Sequence, residues 1–146
     1  MPRMTSDPPL VAVLDDEENM RIALRRLLAP RGYEVVLFGS GEELLEASRA
    51  RDFGCVILDL HMPGMNGFDV LGFLAAGRPA PPPVIVITGH DQAGSAERAA
   101  RLGARAYLTK PVDGGPLLRL LGELTAARTG HAPLLNDGCI SDPAAR

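Results

Sequence analysis

Five short apolar runs constrain the fold of this chain more than any other feature. They are continuous rather than alternating, which is typical of strands that helices cover on both faces, as in a parallel sheet. A sheet with one face in water would alternate apolar and polar residues. The runs are LVAVL at 10–14, EVVLF at 34–38, CVIL at 55–58, VIVIT at 84–88 and AYLT at 106–109.

Segments with helical patterning follow each of these runs. Pro30 and Gly32 end the first predicted helix. Ser40 is a good N-cap for the second, with Glu43 three residues later as in a capping box. The predicted helices begin near Glu17 and at Ser40, and span about residues 66–76, with Gly77 as a stop signal, 91–102 and 113–128.

The fourth predicted helix has little to hold it in place. It contains Gly94, which costs up to about 1 kcal/mol of helix propensity relative to alanine. We therefore expect it to be the least firmly held of the helices. Its apolar face would consist of alanines only, namely Ala93, Ala96, Ala99 and Ala100.

The predicted strands and helices alternate five times. This order predicts an α/β protein with a doubly wound (βα)5 sandwich, in which right-handed crossovers join parallel strands. A length of 146 residues indicates one domain. We place that domain at residues 8–128, after an N-terminal extension at 1–7 and before a turn-rich, flexible tail at 129–146.

Composition excludes several classes of protein. A net charge of −3 and scattered arginines argue against direct nucleic acid binding, and no apolar run approaches the length of a membrane span. The first residues, MPRMTSDPP, do not form a signal peptide, so a cytoplasmic protein is expected. Two cysteines make no disulfide framework: Cys55 is predicted as a small buried hydrophobe, and Cys139 as a free thiol in the tail.

Polar residues close four of the five predicted strands. Asp15 and Asp16 follow the first strand, Asp59 the third, and Lys110 the fifth, while Thr88 ends the fourth. Lys110 is the only lysine among fifteen basic residues. Because the carboxyl ends of parallel strands meet at one edge, where open α/β sheets bind their ligands, we expect these side chains to lie together.

These residue types indicate phosphoryl transfer onto a carboxylate. Three clustered carboxylates repel one another, so that either one of them binds a proton or a cation neutralises them. A donor set of oxygens alone favours a hard ion, and Mg²⁺ fits best. Asp59, alone at its strand end, is the predicted nucleophile, with Asp15 and Asp16 holding the metal. Thr88 would bind a phosphoryl oxygen, and Lys110 would supply a compact positive charge.

Over about residues 8–128 the chain resembles the receiver domains of two-component response regulators. Four motifs carry the resemblance in order: VLDDEE, ILDLHMPGMNGFDVL, ITGH and YLTKP. The resemblance implies a flavodoxin-like, five-stranded parallel sheet of order 2-1-3-4-5. It also implies a cis peptide bond between Lys110 and Pro111.

The resemblance further assigns roles to individual residues. Asp59 would be the phosphoacceptor, receiving its phosphoryl group from a sensor histidine kinase or a phosphotransfer protein. Tyr107 would be a switch residue that swings inward when Thr88 moves toward the phosphate. The fourth helix, fifth strand and fifth helix would form the face that binds a downstream protein target. The implied Mg²⁺ ligands are Asp15, Asp16 (the more direct of the pair), Asp59 and the backbone carbonyl of His61.

The sequence also allows other interpretations. We expect a signalling protein that catalyses only its own phosphorylation and dephosphorylation. The chain is either a stand-alone receiver or a fragment of a longer transcription regulator. A homodimer that forms on phosphorylation is a further alternative. An aspartate-nucleophile phosphohydrolase usually has a second acid two residues after the nucleophile, where this chain has His61. A receiver that works without phosphorylation normally has a damaged site. His61, His90 and His131 lack metal-site spacing and are interpreted as solvated loop residues.

Overall fold

The computed structural model describes residues 8–128 of the chain. The predicted extension at 1–7, the predicted tail at 129–146 and Cys139 lie outside the described residues. Five parallel strands form one sheet in the order β2-β1-β3-β4-β5, which confirms the fold class and the order implied by the resemblance. The strands are β1 Leu10–Leu14, β2 Glu34–Phe38, β3 Cys55–Asp59, β4 Val84–Thr88 and β5 Ala106–Thr109.

Five α-helices connect and flank the strands, and most begin where the sequence predicts. The Ser40 hydroxyl accepts a hydrogen bond from the Glu43 backbone N–H at 3.2 Å, so the predicted N-cap is confirmed. A short 3₁₀ turn at Ala29–Arg31 ends the first helix. The helices are α1 Glu18–Leu28, α2 Gly41–Ala50, α3 Gly67–Gly77, α4 Ser95–Arg101 and α5 Gly114–Arg128.

The prediction for α4 was wrong in its start and in its packing. Gly94 is not inside the helix but precedes it as N-cap, in a left-handed conformation with φ of 85°. Glycine reaches that conformation without a Cβ clash, which here favours a turn over a longer helix. Ala93 and Ala100 are exposed, and the buried residues of α4 are Ser95 and Ala99. The helix is therefore short and lightly buried.

A contact between two helices holds α4 against α3. The guanidinium carbon of Arg98 lies 4.0 Å from the centre of the Phe68 ring, which is the geometry of a cation–π interaction. Phe68 itself packs against the buried apolar cluster beneath it. Besides its small buried area, α4 is thus held by this surface contact with α3.

The sheet separates two apolar clusters because side chains alternate between its faces. Val11 and Val13 pack with α1 and α5, whereas Ala12 and Leu14 pack with α2 and α3. Cys55 is fully buried in the first of these clusters, as predicted, and burial raises the pKa of its thiol to about 12. The central strands are buried on both faces, and the edge strands β2 and β5 are half-exposed.

Arg78, just after α3, satisfies the open carboxyl end of α2. Its guanidinium donates to the carbonyl oxygen of Ser48 from Nε at 3.1 Å and from Nη2 at 2.8 Å. The same Nη2 reaches the carbonyl oxygens of Arg49 at 3.4 Å and Arg51 at 3.2 Å. The last carbonyls of a helix have no partner within the helix. A single side chain therefore caps α2 and ties it to α3.

Gly67 allows α3 to begin directly against the end of β3. Its N–H donates to the carbonyl oxygen of Leu60 at 3.0 Å. A Cβ at this position would lie 2.7 Å from the carbonyl oxygen of Asp59 and closer still to the Leu60 Cα, so only glycine fits without a shift of the backbone.

Within residues 8–128 no helix has the length and apolar character needed to cross a membrane.

Candidate functional site

The acidic residues predicted to meet at the carboxyl edge of the sheet do lie together. β1 and β3 are neighbours with Leu14 opposite Leu58, so Asp15 and Asp59 follow at adjacent strand ends. Carboxylate oxygens of Asp15, Asp16 and Asp59 lie within 4.8 Å of one another. Asp15 and Asp59 are 1% and 4% exposed, and Asp16 is exposed to solvent.

The Lys110 ammonium lies among these acids. Its Nζ is 3.1 Å from Asp15 Oδ2 and 3.5 Å from Asp59 Oδ2. Burial opposes the charged form, but the hydrogen bond to Asp15 and the charges of Asp59, Asp15 and Glu17 outweigh it and raise the pKa of Lys110. Glu17, whose Oε1 is 3.5 Å from Nζ, was not predicted as part of this group. The lysine is therefore held in its charged form.

Burial and neighbouring groups act in opposite directions on the pKa of the Asp59 carboxyl. Burial is the largest of them and raises its pKa, and the neighbouring charge of Asp15 acts in the same direction. The His61 backbone N–H, which donates to Asp59 Oδ1 at 3.1 Å, and the Lys110 ammonium favour the charged form. The pKa of Asp59 is raised in consequence. A cation bound beside these acids would favour their charged forms.

Hydrogen bonds from Glu17, Lys110 and Arg21 anchor Asp15. Its Oδ1 accepts from the Glu17 backbone N–H at 2.9 Å, and its Oδ2 accepts from Lys110. Its backbone carbonyl accepts from Arg21 Nη1 at 2.6 Å. Arg21 was missed by sequence reasoning, because its spacing on α1 carries no signal for a contact with the preceding loop. These contacts fix the acid at the end of β1.

Thr88 and Lys110 are linked through the backbone. Thr88 is fully buried at the end of β4, and its carbonyl accepts from the Lys110 N–H at 2.8 Å. The Thr88 hydroxyl accepts from the His90 backbone N–H at 3.0 Å, which holds the following loop. The peptide bond between Lys110 and Pro111 is cis, as the resemblance implied.

Tyr107 lies on β5, near the carboxyl edge of the sheet, and its hydroxyl binds Asp91. The hydroxyl donates to Asp91 Oδ1 at 3.0 Å, and the half-buried ring packs against the apolar cluster under α4. Burial, followed by the hydrogen bond to Asp91 and its charge, raises the pKa of Tyr107 to about 12. Asp91 was not among the predicted site residues. The switch role of Tyr107 stays a prediction.

His61 and His90 lie in the loops after β3 and β4, where His61 is half-buried and His90 exposed, and their rings lie beside each other. Their ring centroids are 4.9 Å apart and the ring planes are tilted by 60°. His61 Nε2 lies 3.1 Å from the carbonyl oxygen of His90. This contact joins the loop after β3 to the loop after β4. No spacing pattern in the sequence predicts this contact.

The donor set fits a hard divalent cation. The three clustered side chains offer carboxylate oxygens only, without thiolate or imidazole, and two of them are buried. Oxygen ligands of this kind suit Mg²⁺, which also retains several waters when bound. The exposed position of Asp16 leaves one side of the cluster open to water.

A parallel (βα)5 sheet with an acidic cluster and a facing lysine at its carboxyl edge is the arrangement that the resemblance to receiver domains implied. The chain belongs to the response regulator receiver domain family of two-component systems, whose family profile matches residues 11–121.

Known relatives agree with this assignment. The chain is 33% identical over 136 residues to the transcriptional regulatory protein FixJ of Bradyrhizobium diazoefficiens, covering 93% of this chain and 65% of FixJ. It is 41% identical over 120 residues to the sensory/regulatory protein RpfC of Xanthomonas campestris, covering 79% of this chain and 16% of RpfC. The chain thus spans less than two thirds of the length of both relatives.

The fold matches solved receiver structures. The CheY-like receiver domain protein of Methanospirillum hungatei superposes with a TM-score of 0.80 at 24% identity, over 86% of this chain and 99% of that one. At this level of identity the likeness concerns the fold.

Proposed function

We propose that this chain accepts a phosphoryl group on Asp59 in a two-component pathway. The observation that carries the proposal is the position of the Lys110 ammonium, 3.5 Å from Asp59 Oδ2 and beside the acidic cluster. A positive charge at that distance favours the approach of a negatively charged donor. Asp15, Asp16, Asp59 and the backbone carbonyl of His61 would hold Mg²⁺, which when bound neutralises the acids and binds phosphoryl oxygen.

The transfer needs one bond to form and one to break. An Asp59 carboxylate oxygen attacks phosphorus, and the bond from phosphorus to the donor nitrogen of a phosphohistidine breaks. The departing imidazole takes up a proton from water. Lys110 stabilises the charge on the transferred group, and the Thr88 hydroxyl donates a hydrogen bond to one of its oxygens. The donor is a sensor histidine kinase or a phosphotransfer protein.

The signal would leave through α4, β5 and α5. When Thr88 turns toward the phosphoryl group, its hydroxyl gives up the His90 N–H, and the loop that carries Asp91 is released. Tyr107 then leaves Asp91 and moves inward. The light burial of α4, where only Ser95 and Ala99 are buried, supports its role as the element that shifts. A downstream protein would bind the rearranged face.

Direct labelling tests the proposal. The full chain is incubated with Mg²⁺ and phosphoramidate, and intact-mass spectrometry measures the addition of one phosphoryl group that hydroxylamine removes. Asp59→Asn should take up none. Asp69→Asn, which alters an exposed carboxylate in the first turn of α3, is the matched control and should be labelled as the wild type is. Stoichiometric, hydroxylamine-sensitive labelling of Asp59→Asn would falsify the assignment.

A further inference from the structure

A groove between α2 and α3 has an apolar floor and a large hydrophobic side chain at its edge. The groove has a volume of about 940 Å³ and is lined by Leu45 from α2, by Phe73 and Leu74 from α3, and by Met65 from the loop before α3. Phe73 is 57% exposed, the highest exposure of any large hydrophobic side chain within residues 8–128. A single exposed apolar residue is ordinary on a protein surface. An exposed phenylalanine beside an apolar groove gives this surface both a side chain that can insert into a partner and a groove that can receive one.

Within residues 8–128, four charged residues line this groove, and two of them, Glu46 and Arg49, form an acid–base pair, while Glu42 and Arg78 are the others. Glu46 and Arg49 both line it from α2, and they form an exposed ion pair at 3.4 Å, with side chains that are 78% and 79% exposed. Exposed pairs of this kind contribute little to stability, so they exchange partners at small cost. If two copies of α2 meet about a two-fold axis, Glu46 of each copy faces Arg49 of the other.

We infer that this groove is a docking site for a second copy of the same chain. A two-fold contact requires one surface patch to be complementary to itself, and the groove combines a projecting ring, an apolar recess and an acid–base pair in one patch. Phe73 of each copy would enter the groove of the other and provide the buried aromatic anchor typical of protein interfaces. The exchanged pairs of Glu46 and Arg49 would set the orientation.

This dimer goes beyond the proposed phosphoryl transfer and does not depend on it. The groove lining contains none of the residues proposed to hold the metal or the phosphoryl group. Labelling of Asp59 and self-association are therefore separate measurements, and the failure of one leaves the other standing.

Sedimentation velocity of the full chain, from low micromolar to near-millimolar concentration, tests the inference. The wild type should show a concentration-dependent dimer without any phosphodonor. Phe73→Ser should weaken association by at least about tenfold, as expected for an aromatic hot spot. Because Phe73 is exposed, the variant should keep its fold, which circular dichroism and unchanged labelling of Asp59 verify. Glu123→Arg, an exposed charge reversal on α5, is the matched control and should associate normally.

Charge reversal distinguishes contacts between copies from the ion pair within one helix. Glu46→Arg alone and Arg49→Glu alone should each weaken the dimer, because like charges then face each other across the axis. An equimolar mixture of the two variants should restore it, since each copy supplies the charge that the other lacks. Mixing cannot restore a pair within one chain, so recovery on mixing identifies the contact as intermolecular.

Three outcomes overturn the inference. The first is a monomer at every concentration, which would leave the groove to residues 129–146 or to an unrelated partner. The second is a dimer whose association Phe73→Ser leaves unchanged, because another face then makes the contact. The third is a mixture of the two charge variants that associates no better than either variant alone.

Discussion

The Lys110 ammonium donates a hydrogen bond to Asp15 across the carboxyl edge of the sheet, at 3.1 Å. The strands that end next to these residues, β5 and β1, are not neighbours, because β3 and β4 lie between them. The lysine therefore reaches from the end of β5 to the end of β1, and its Nζ also lies 3.5 Å from Asp59 Oδ2. It neutralises the site from one side and leaves the side near Asp16 open.

We expect Lys110→Ala to lower the rate of labelling by phosphoramidate by about a hundredfold, the loss typical of a positioned charge that stabilises a transferred group. Lys110→Arg should also label slowly, because a planar guanidinium does not replace a compact ammonium in a small space. Timed intact-mass measurements give the rates. Arg119→Ala, exposed on α5, serves as the control. A rate for Lys110→Ala equal to that of the wild type would show that the lysine takes no part.

A second effect of the same variant should run in the opposite direction. Lys110→Ala removes a positive charge that lies 3.1 to 3.5 Å from two carboxylates, so its affinity for Mg²⁺ should rise several-fold while labelling slows. Isothermal titration calorimetry measures the affinity. A general loss of structure would weaken both properties together, and the opposed changes exclude that explanation.

Tyr107 should titrate at unusually high pH, and Asp91 should be part of the cause. In a Tyr33→Phe background Tyr107 is the only tyrosine, and its phenolate absorbance should appear near pH 12 rather than 10. Asp91→Ala should lower this pKa, because it removes both the hydrogen-bond acceptor and a negative charge that opposes the phenolate. Asp91→Asn should give an intermediate value. The unfolded chain loses the proton at lower pH, so this shift reduces the stability of the fold between about pH 10 and 12.

Identical absorbance titrations for the Asp91→Ala variant and its parent would show that the hydrogen bond from Tyr107 to Asp91 is absent in solution. Glu97→Ala, which removes a more weakly acting exposed acid on α4, provides the comparison. Its effect on the pKa of Tyr107 should be the smaller of the two.

Arg78→Ala should destabilise the fold by about 1–3 kcal/mol, because several carbonyl oxygens at the end of α2 lose a charged donor. Arg78→Lys should recover only part of this, since an ammonium cannot reproduce the guanidinium fork. Urea unfolding at low protein concentration measures the free energy. Arg31→Ala at an exposed position is the control. If Arg78→Ala and Arg31→Ala unfold at the same urea concentration, the contact of Arg78 with the end of α2 contributes nothing to stability.

Two glycines of α3 should respond to alanine in opposite ways. Gly67→Ala should destabilise the fold by about 1–3 kcal/mol, because its Cβ meets the backbone at Asp59 and Leu60. Gly72→Ala has open space and should stabilise it by about 0.5–1 kcal/mol through helix propensity. Both values come from urea unfolding, and equal changes in the two variants would contradict the close approach of α3 to β3.

The strands were predictable because each buried strand is a continuous apolar run with a polar residue at its end. Parallel pairing then brings Asp15, Asp59 and Lys110 to one edge, and their meeting follows from the topology alone. The start of α4 was not predictable, because helix propensity does not reveal that Gly94 takes a left-handed turn.

The partners of the site residues were harder to predict than the residues themselves. The contacts of Tyr107 with Asp91 and of Arg78 with the end of α2 join positions 16 to 30 residues apart. Such pairings depend on the angles at which loops leave the sheet, and neither charge nor periodicity encodes those angles. The groove beside Phe73 likewise exists only once α2 and α3 have packed.

The stack of Arg98 on Phe68 makes the state of α4 visible from a neighbouring helix. A turn or slide of α4 would change the position of the guanidinium relative to the ring, because the contact joins two separate elements. A fluorine label on Phe68 would therefore give one resonance while α4 is seated and another once it has moved. Such a label would report the position of α4 from a residue that lies outside the acidic cluster of Asp15, Asp16 and Asp59.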